Sequence, residues 1–314
     1  MAGTISGLVS GIDYPGTFQE FREWFPDESS CVDYLAQLRW PDGFRCPGCA
    51  GSGFWRTKKA LWMCASCGLK TSATAGTIFH RSHTPLSTWF AAMWFVTSQK
   101  NGVSALGLQQ ALGFKSYETA WAWLHKLRRD MVRPDRELLS GLVELDETFV
   151  GGQSHGKKGA STDKVPVMVA VERLGPHKLG RVRFGIDSRP GSLELVQFAT
   201  HTVAKGSIIR TDGARMLRKL GDLGYDHEYS NGYAALDRTE ELPGVHLVAS
   251  LLKRWIAGTL HHNISLQHMP YYLDEYTFRF NRRQSSARGM LFYRLLQQAT
   301  NTDPHPLHEL IGGR

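Results

Sequence analysis

Hydrophobic positions in the N-terminal part of the chain recur at helical spacing, with one cysteine-rich interruption. Residues 15–40 are predicted to be helical and to end at the Pro-Asp-Gly turn of residues 41–43. Residues 86–98 (LSTWFAAMWFVTS) are apolar almost all round, which indicates a buried helix. Two shorter helices are predicted at 104–112 and 116–131. We therefore expect this part of the chain to be mainly helical.

The pattern changes to strands further along the chain. Three apolar runs with polar interruptions predict strands, the last two forming a hairpin: 142–150, 165–171 and 180–186. A helix at 191–203, a strand at 206–210 and helices at 213–220 and from about 245 onward complete the order. Three antiparallel strands, a helix, another strand and further helices predict an α/β fold with a mixed sheet and flanking helices.

Charge is unevenly distributed along a chain whose net charge is +8. Residues 1–42 contain seven acids against two bases, whereas residues 43–117 contain no acid. A carboxylate near a phosphate costs affinity, so a long acid-free segment favours a polyanion-binding surface and hence a nucleic-acid partner. A random fluctuation and an acidic partner protein are the alternatives.

Four of the five cysteines form two C-x-x-C pairs. The pairs are Cys46 with Cys49 and Cys64 with Cys67, and fourteen residues separate them. Four thiolates at this spacing predict a closed, structural Zn²⁺ site without catalytic function. A redox-active dithiol is the alternative, but the sequence around the pairs lacks a thioredoxin-like βαβ pattern. The fifth cysteine, Cys31, is interpreted as a small core residue.

The predicted helices at 104–112 and 116–131 resemble a helix-turn-helix DNA reader. Ser104 and Ser116 are expected to cap the two helix starts, and Gly113 to end the first helix. A helix, a tight turn and a helix followed by basic residues is the layout of such readers, although many helical hairpins share it. The residues expected to contact DNA are Lys115, Lys126, Arg128 and Arg129.

Acidic residues interrupt two of the predicted strands. Alternation places Glu144 and Asp146 on one face of the first strand, and a buried charged pair is costly unless it binds something. Asp212 follows the strand at 206–210. Two acids at the ends of adjacent strands predict a clamp for a divalent metal ion. Taken singly, either aspartate is also typical of a strand end or turn.

The helix beginning near residue 245 contains a histidine and a lysine seven positions apart. His246 and Lys253 therefore lie on one face of this helix, two turns apart. The apolar stripe expected to face the core lies nearly opposite and consists of Val248, Leu251, Leu252, Trp255 and Ile256. The simpler interpretation is that His246 and Lys253 lie on a solvated helix face. The other is that they form a binding site that faces away from the core.

Several sequence motifs resemble those of the bacterial DDE-type insertion-sequence transposases that have an N-terminal zinc ribbon. The specific strings are DETFVGG at 146–152, within LDETFVGG at 145–152, and YLDEYTFRFNRR at 272–283, within HHNISLQHMPYYLDEYTFRFNRR at 261–283. The resemblance covers nearly the whole chain, and its other strings are RWPDGFRCPGC at 39–49, SATAGTIFH at 72–80, GVSALGLQQALGF at 102–114, TDGA at 211–214 and LLKRWIAGT at 251–259.

This resemblance implies a ribonuclease-H-like catalytic core. Asp146 and Asp212 are then the first two catalytic acids, His246 occupies the third position, where most DDE enzymes have Glu, and Lys253 is the basic residue that follows it. The implied cofactors are Mg²⁺ or Mn²⁺, held by the two aspartates and the histidine. The implied activity is metal-dependent DNA end cleavage and strand transfer. A DNA-binding regulator with an inert C-terminal domain and a nuclease that does not join DNA are the alternatives.

The implied partner is double-stranded DNA, both the terminal inverted repeats of the element and the target. A homo-oligomer is expected when the protein assembles on DNA. Five segments are predicted: an acidic helical segment (1–42), the zinc ribbon (43–75), the helix-turn-helix-like region (76–138), the catalytic domain (139–295) and a C-terminal tail (296–314). Without a signal-peptide pattern or an apolar run of about 20 residues, no membrane association and a cytoplasmic, nucleoid-associated location are expected.

Overall fold

A computed structural model describes residues 8–133, 135–151, 164–187, 193–229, 242–260, 266–304 and 310. The helices are α1 (Phe18–Trp24), α2 (Glu28–Arg39), α3 (Leu86–Ser98), α4 (Ala105–Leu112), α5 (Tyr117–Asp130), α6 (Glu194–Thr202), α7 (Lys219–Asp222), α8 (Pro243–Leu260), α9 (Met269–Asn281) and α10 (Arg288–Ala299). The strands are β1 (Phe54–Arg56), β2 (Trp62–Cys64), β3 (Lys70–Thr71), β4 (Leu142–Val150), β5 (Val165–Gly175), β6 (Lys178–Ile186), β7 (Ile208–Thr211) and β8 (Asp226–Tyr229).

The chain forms two compact units. The first contains residues 1–131 together with 285–314, and the second contains residues 132–284. This division differs from the five segments expected from the sequence, because α10 groups with the N-terminal helices. The reason lies in Phe292 of α10, whose ring packs against aromatic rings of α1, α3 and the residue after α1, namely Phe21, Phe25, Phe90 and Trp94.

The first unit begins with two helices where one was expected. Asp27 caps α2 by accepting from the backbone N–H of Ser30, and the preceding Pro26 separates this helix from α1. Within α1, Phe21 is buried, whereas Phe18 is 59% exposed. The three ribbon strands follow as an antiparallel sheet in the order β1-β2-β3.

The helical hairpin of α4 and α5 has the predicted caps. Ser104 accepts from the backbone N–H of Gly107, and Ser116 accepts from that of Glu118. Gly113 adopts the left-handed conformation, with φ of 68°, and ends α4. Tyr117, the first residue of α5, is exposed, whereas Trp123 is buried and stacks on Trp89 of α3 at 3.5 Å between ring centroids.

The second unit is built on a five-stranded sheet in the order β6-β5-β4-β7-β8. β4, β5 and β6 are antiparallel neighbours, whereas β4 pairs with β7, and β7 with β8, in parallel. Helices α8 and α9 pack on one face of the sheet with the inward residues of β5, and α6 and α7 pack on the other face. This mixed sheet with helices on both faces is the ribonuclease-H-like arrangement expected from the sequence.

The exposed edge of this sheet is covered by side chains from the end of α9. Asn281 accepts from the backbone N–H of Val182 at 2.8 Å and donates to its carbonyl at 3.2 Å. Arg283 donates to the carbonyls of Leu179 and Gly180. Since β6 has a partner strand on one side only, these contacts satisfy backbone groups that would otherwise be open to another strand. The FNRR string at 280–283 therefore has a role in the fold.

We expect Asn281→Ala to lower the free energy of unfolding by about 1–3 kcal/mol, because it leaves two backbone groups of a buried residue without partners. Chemical denaturation followed by circular dichroism measures the change. Gln284→Ala, at an exposed position three residues further on, is the matched control and should leave the stability unchanged. Equal midpoints for the two variants would contradict the edge-covering role.

Candidate metal centre and acidic cluster

The two cysteine pairs fold into matching turns. In the first turn the N–H of Cys46 donates to the carbonyl of Gly51 at 2.9 Å, and in the second that of Cys64 donates to Leu69 at 2.9 Å. In each turn the fourth residue after the first cysteine is left-handed: Ala50 (φ 59°) and Gly68 (φ 72°). This geometry points backbone N–H groups toward the sulfurs. The N–H of Cys67, helped by that of Ser66 and opposed by burial, lowers the pKa of Cys64 to about 6.

The four sulfur atoms lie at distances suited to one tetrahedral metal ion. All four lie within 4.8 Å of one another, with 3.6 Å between Cys46 and Cys67 and 3.5 Å between Cys49 and Cys64. A tetrahedral Zn²⁺ with Zn–S bonds of about 2.3 Å requires sulfur separations of roughly 3.8 Å. The residues therefore fit a structural zinc ion, and the four cysteines fill its coordination shell.

The two aspartates expected to hold catalytic ions lie on neighbouring strands. In the parallel ladder of β4 and β7, Glu144 pairs with Arg210. Asp146 lies two residues beyond Glu144, and Asp212 lies two residues beyond Arg210, immediately after β7. Side chains two residues apart on a strand share a face, so Asp146 lies with Glu144 on the face covered by α8, and Asp212 follows β7 directly at the same end of the sheet.

The electrostatics of Asp146 indicate which groups surround it. Burial raises the pKa of Asp146 to about 6. The N–H of Glu147 acts in the opposite direction, because it donates a hydrogen bond to the Asp146 carboxylate at 2.7 Å. The charge of Asp212 raises this pKa further, and His246 lowers it. Asp146 is therefore close enough to both to feel their charges. A cation would relieve the repulsion between the two carboxylates, so the donor set of two carboxylates and one imidazole fits divalent ions.

In the described part of the chain, only the four cysteines bring three or more metal-binding atoms within 4.8 Å of one another. Asp146, Asp212 and His246 are thus neighbours without forming so tight a group. Glu144 is fully buried two residues before Asp146, and the side chain of Glu147 is half-buried.

His246 and Lys253 lie on α8, but not opposite its buried stripe. The buried residues of this helix are Gly244, Val245, Val248, Ala249, Leu252, Ile256 and Thr259. At 3.6 residues per turn, His246 and Lys253 flank this stripe, roughly 100° around the helix from its centre. The expectation of an opposite face was wrong because Leu251 and Trp255 are only partly buried, whereas Gly244, Val245 and Ala249 pack inward. His246 is consequently half-buried at the edge of the stripe.

Lys253 has a cationic neighbour that the sequence did not indicate. Lys253 is an exposed residue. The pKa of its amine is lowered, first by loss of solvent from the surrounding protein and then by the charge of Lys164. Lys164 directly precedes β5, whose first residue pairs with the last residue of β4. Nothing in the local sequence marks Lys164, because only the strand pairing brings it near α8.

The four residues expected to contact DNA differ in exposure. Lys115 and Arg129 are exposed, and Lys126 is half-buried, with its pKa lowered by burial. Arg128 is only 2% exposed, which corrects the expectation that it faces DNA. The second helix of the hairpin buries two sides, since Ala122, Trp123, His125 and Arg128 are buried along with Ala120, Leu124 and Leu127.

The fold and the sites define a zinc-ribbon protein with a ribonuclease-H-like domain that contains clustered acids. Comparison with known proteins agrees: residues 138–281 match the ISXO2-like transposase domain, and residues 26–70 match the transposase zinc-ribbon domain. The chain therefore belongs to the insertion-sequence transposases that combine these two domains. It is also similar to an uncharacterized protein in transposable element ISH50 of Halobacterium salinarum, with 26% identity over 286 residues, 81% of this chain and 91% of the relative.

Among the helices that the structure describes, none has both the length and the apolar character needed to cross a membrane.

Proposed function

We propose that this protein is an active transposase that cleaves the ends of its insertion sequence and joins them to target DNA. The observation that supports this most strongly is the placement of Asp146 and Asp212 on adjacent strands, with His246 close enough to shift the pKa of Asp146. An acidic pair at such a location is costly unless it binds cations. Metal-assisted phosphoryl transfer is the chemistry that this donor set serves.

In this proposal each residue has a separate task. Asp146 and Asp212 hold Mg²⁺ or Mn²⁺ through carboxylate oxygens, and His246 contributes one ring nitrogen. When bound, such ions activate a water or a DNA 3′-hydroxyl as nucleophile and stabilise the leaving 3′ oxygen. Lys253, together with Lys164, offers positive charge to the phosphate beside the cleaved bond.

DNA recognition is assigned to the first unit. The acid-free segment of residues 43–117 contains the ribbon, α3 and α4, and so contributes no carboxylate of its own near bound phosphates. Lys115 and Arg129 are exposed at the helical hairpin and are the side chains that we assign to DNA contact. We expect the protein to assemble as a homo-oligomer on the terminal inverted repeats and the target.

The alternative is a DNA-binding regulator whose second unit is catalytically inert. Incubation of the full-length protein with labelled element ends and Mn²⁺ separates the two. Our proposal predicts metal-dependent cleavage at the element ends by the parent and none by Asp146→Asn, with DNA binding equal in the two proteins. Equal binding without cleavage by the parent would support the regulator.

We expect Lys115→Ala and Arg129→Ala each to weaken DNA binding across sequences and to reduce the slope of log affinity against log salt by about 1. Arg128→Ala is the contrasting variant, because loss of its buried side chain should lower stability by about 1–3 kcal/mol and leave the salt slope unchanged. Fluorescence anisotropy at several NaCl concentrations, paired with thermal unfolding, measures both. If only Arg128→Ala reduced the salt slope, Arg128 would be the DNA contact, and the assignment of Lys115 and Arg129 would be wrong.

A further inference from the structure

Glu144 is a fully buried carboxylate two residues before Asp146 on β4. One of its oxygens, Oε2, accepts from the backbone N–H of Val245 at 3.0 Å. The other, Oε1, lies 3.4 Å from Nε of Arg173. A buried charge is stable only when it is paired, and here one oxygen has a hydrogen bond and the other an ion pair. Glu144 is therefore engaged with α8 and β5.

The contact with Val245 supplies a cap that α8 lacks in its own sequence. The residue before this helix is Leu242, which is buried and apolar, and the first helical residue is Pro243, which has no N–H. A helix start normally obtains an acceptor from a Ser, Thr, Asp or Asn side chain at this point. Glu144 provides the acceptor from the neighbouring strand, and its negative charge suits the positive end of the helix dipole.

Gly244 permits this approach. A Cβ atom at this position would lie 2.8 Å from Oε2 of Glu144 and 3.1 Å from Cδ of Arg173. Glycine inside a helix costs about 1 kcal/mol relative to alanine, so its presence in the first turn of α8 is explained by the close contact. The chain thus accepts a poor helix former where the strand carboxylate meets the helix.

We propose that Glu144 is a positioning residue that fixes the start of α8 and thereby holds His246 beside Asp146. His246 directly follows Val245, whose N–H Glu144 binds, and Asp146 lies two residues after Glu144 on the same strand face. One carboxylate therefore connects the strand that holds Asp146 with the helix that holds His246. This inference rests on the proposed function, since it concerns the same ion site.

The test uses Gly244→Ala, which keeps every charge and improves helix propensity but places a methyl group against Glu144. The matched control is Gly258→Ala in the same helix, where an added Cβ meets nothing within 4 Å. Two quantities are measured on the full-length, zinc-loaded protein without DNA: the hydrogen exchange of the segment that contains Val245, and the affinity for Mn²⁺. Asp146→Asn defines Mn²⁺ binding that does not involve the ion site.

We expect Gly244→Ala to speed exchange at Val245 and to weaken Asp146-dependent Mn²⁺ binding about tenfold, whereas Gly258→Ala changes neither. In a Glu144→Ala background, where the contact of the added methyl group with the carboxylate is absent and only that with the flexible Arg173 side chain remains, Gly244→Ala should weaken Mn²⁺ binding no further. Glu144→Gln, which keeps an acceptor for Val245, should retain more Mn²⁺ affinity than Glu144→Ala. Circular dichroism confirms that each variant is folded.

Unchanged Mn²⁺ affinity and exchange in folded Gly244→Ala would overturn the positioning role. The positioning role would also be overturned if Gly244→Ala reduced Mn²⁺ affinity equally in the parent and in the Glu144→Ala background. The effect would then not depend on the Glu144 carboxylate. A parent protein that binds no Mn²⁺ through Asp146 would instead overturn the ion site, and with it the proposed function. The two failures are therefore distinguishable.

Discussion

Asp146→Ala and Asp212→Ala are each expected to reduce DNA cleavage on the order of 10³-fold or more, since an ion that stabilises the transition state by several kcal/mol is lost. Both variants should still bind DNA, because recognition is assigned to the first unit. Cleavage of labelled element ends at saturating protein, with binding measured in parallel, tests this. Glu147→Gln, one residue from Asp146, is the control and should retain most activity.

His246 distinguishes this site from one with three carboxylates. A neutral imidazole leaves the site one negative charge poorer, and Mn²⁺ accepts nitrogen more readily than Mg²⁺ does. We expect His246→Ala to lose most cleavage and the parent to prefer Mn²⁺. His246→Glu should retain or improve cleavage with Mg²⁺. Parental activity in His246→Ala, with both aspartate variants inactive, would contradict the assignment and make Glu147 the next candidate, since Glu144 is engaged with α8.

Cys46→Ser or Cys64→Ser should remove the zinc ion and unfold the ribbon. Zinc binding contributes on the order of 10–16 kcal/mol to folding in modules of this kind, more than the small ribbon core can replace. The second unit folds around its own sheet and should keep its cooperative unfolding transition. Metal analysis of the purified protein, together with calorimetry, measures both effects.

Cys31→Ala is the control for this prediction. Cys31 is buried in α2, outside the group of four sulfurs, so its replacement should leave one zinc ion per chain. A parent protein without zinc, or a Cys46→Ser variant that retains it, would contradict the structural role of the ion.

Local sequence was sufficient for the elements whose signals are local. The apolar alternation of residues 142–150 predicted β4 with its observed ends. Ser104, Gly113 and Ser116 marked the helix ends because caps depend on a few neighbouring residues. The cysteine spacing likewise predicted the ribbon.

Features that depend on distant parts of the chain were missed. β8 (Asp226–Tyr229) has only polar or aromatic residues and little burial, so no alternation marks it, and pairing with β7 alone makes it a strand. The position of α10 depends on Phe292 meeting rings from near the N-terminus. Arg128 was misassigned because burial on two sides of α5 cannot be inferred from its own periodicity.

The same distinction between local and distant signals applies to the residues of the candidate site. Asp146, Asp212, His246 and Lys253 were predicted from residue type, spacing and the resemblance to the transposases. The partners that surround them were not, since Lys164 and the contact between Glu144 and Val245 arise from tertiary packing. For Glu144 in particular, strand alternation indicated only a shared face with Asp146, whereas the structure places its carboxylate against α8.

The central claim is that this chain both cuts and joins DNA. The most direct test incubates the full-length protein with element-end DNA, unlabelled target DNA and Mn²⁺, with the label at the 5′ terminus of the element strand whose 3′ end is joined, and measures label covalently joined to the target. The account predicts joined product with the parent protein and none with Asp146→Asn at equal DNA occupancy. Cleaved ends without joined product would indicate a nuclease and would contradict the claim.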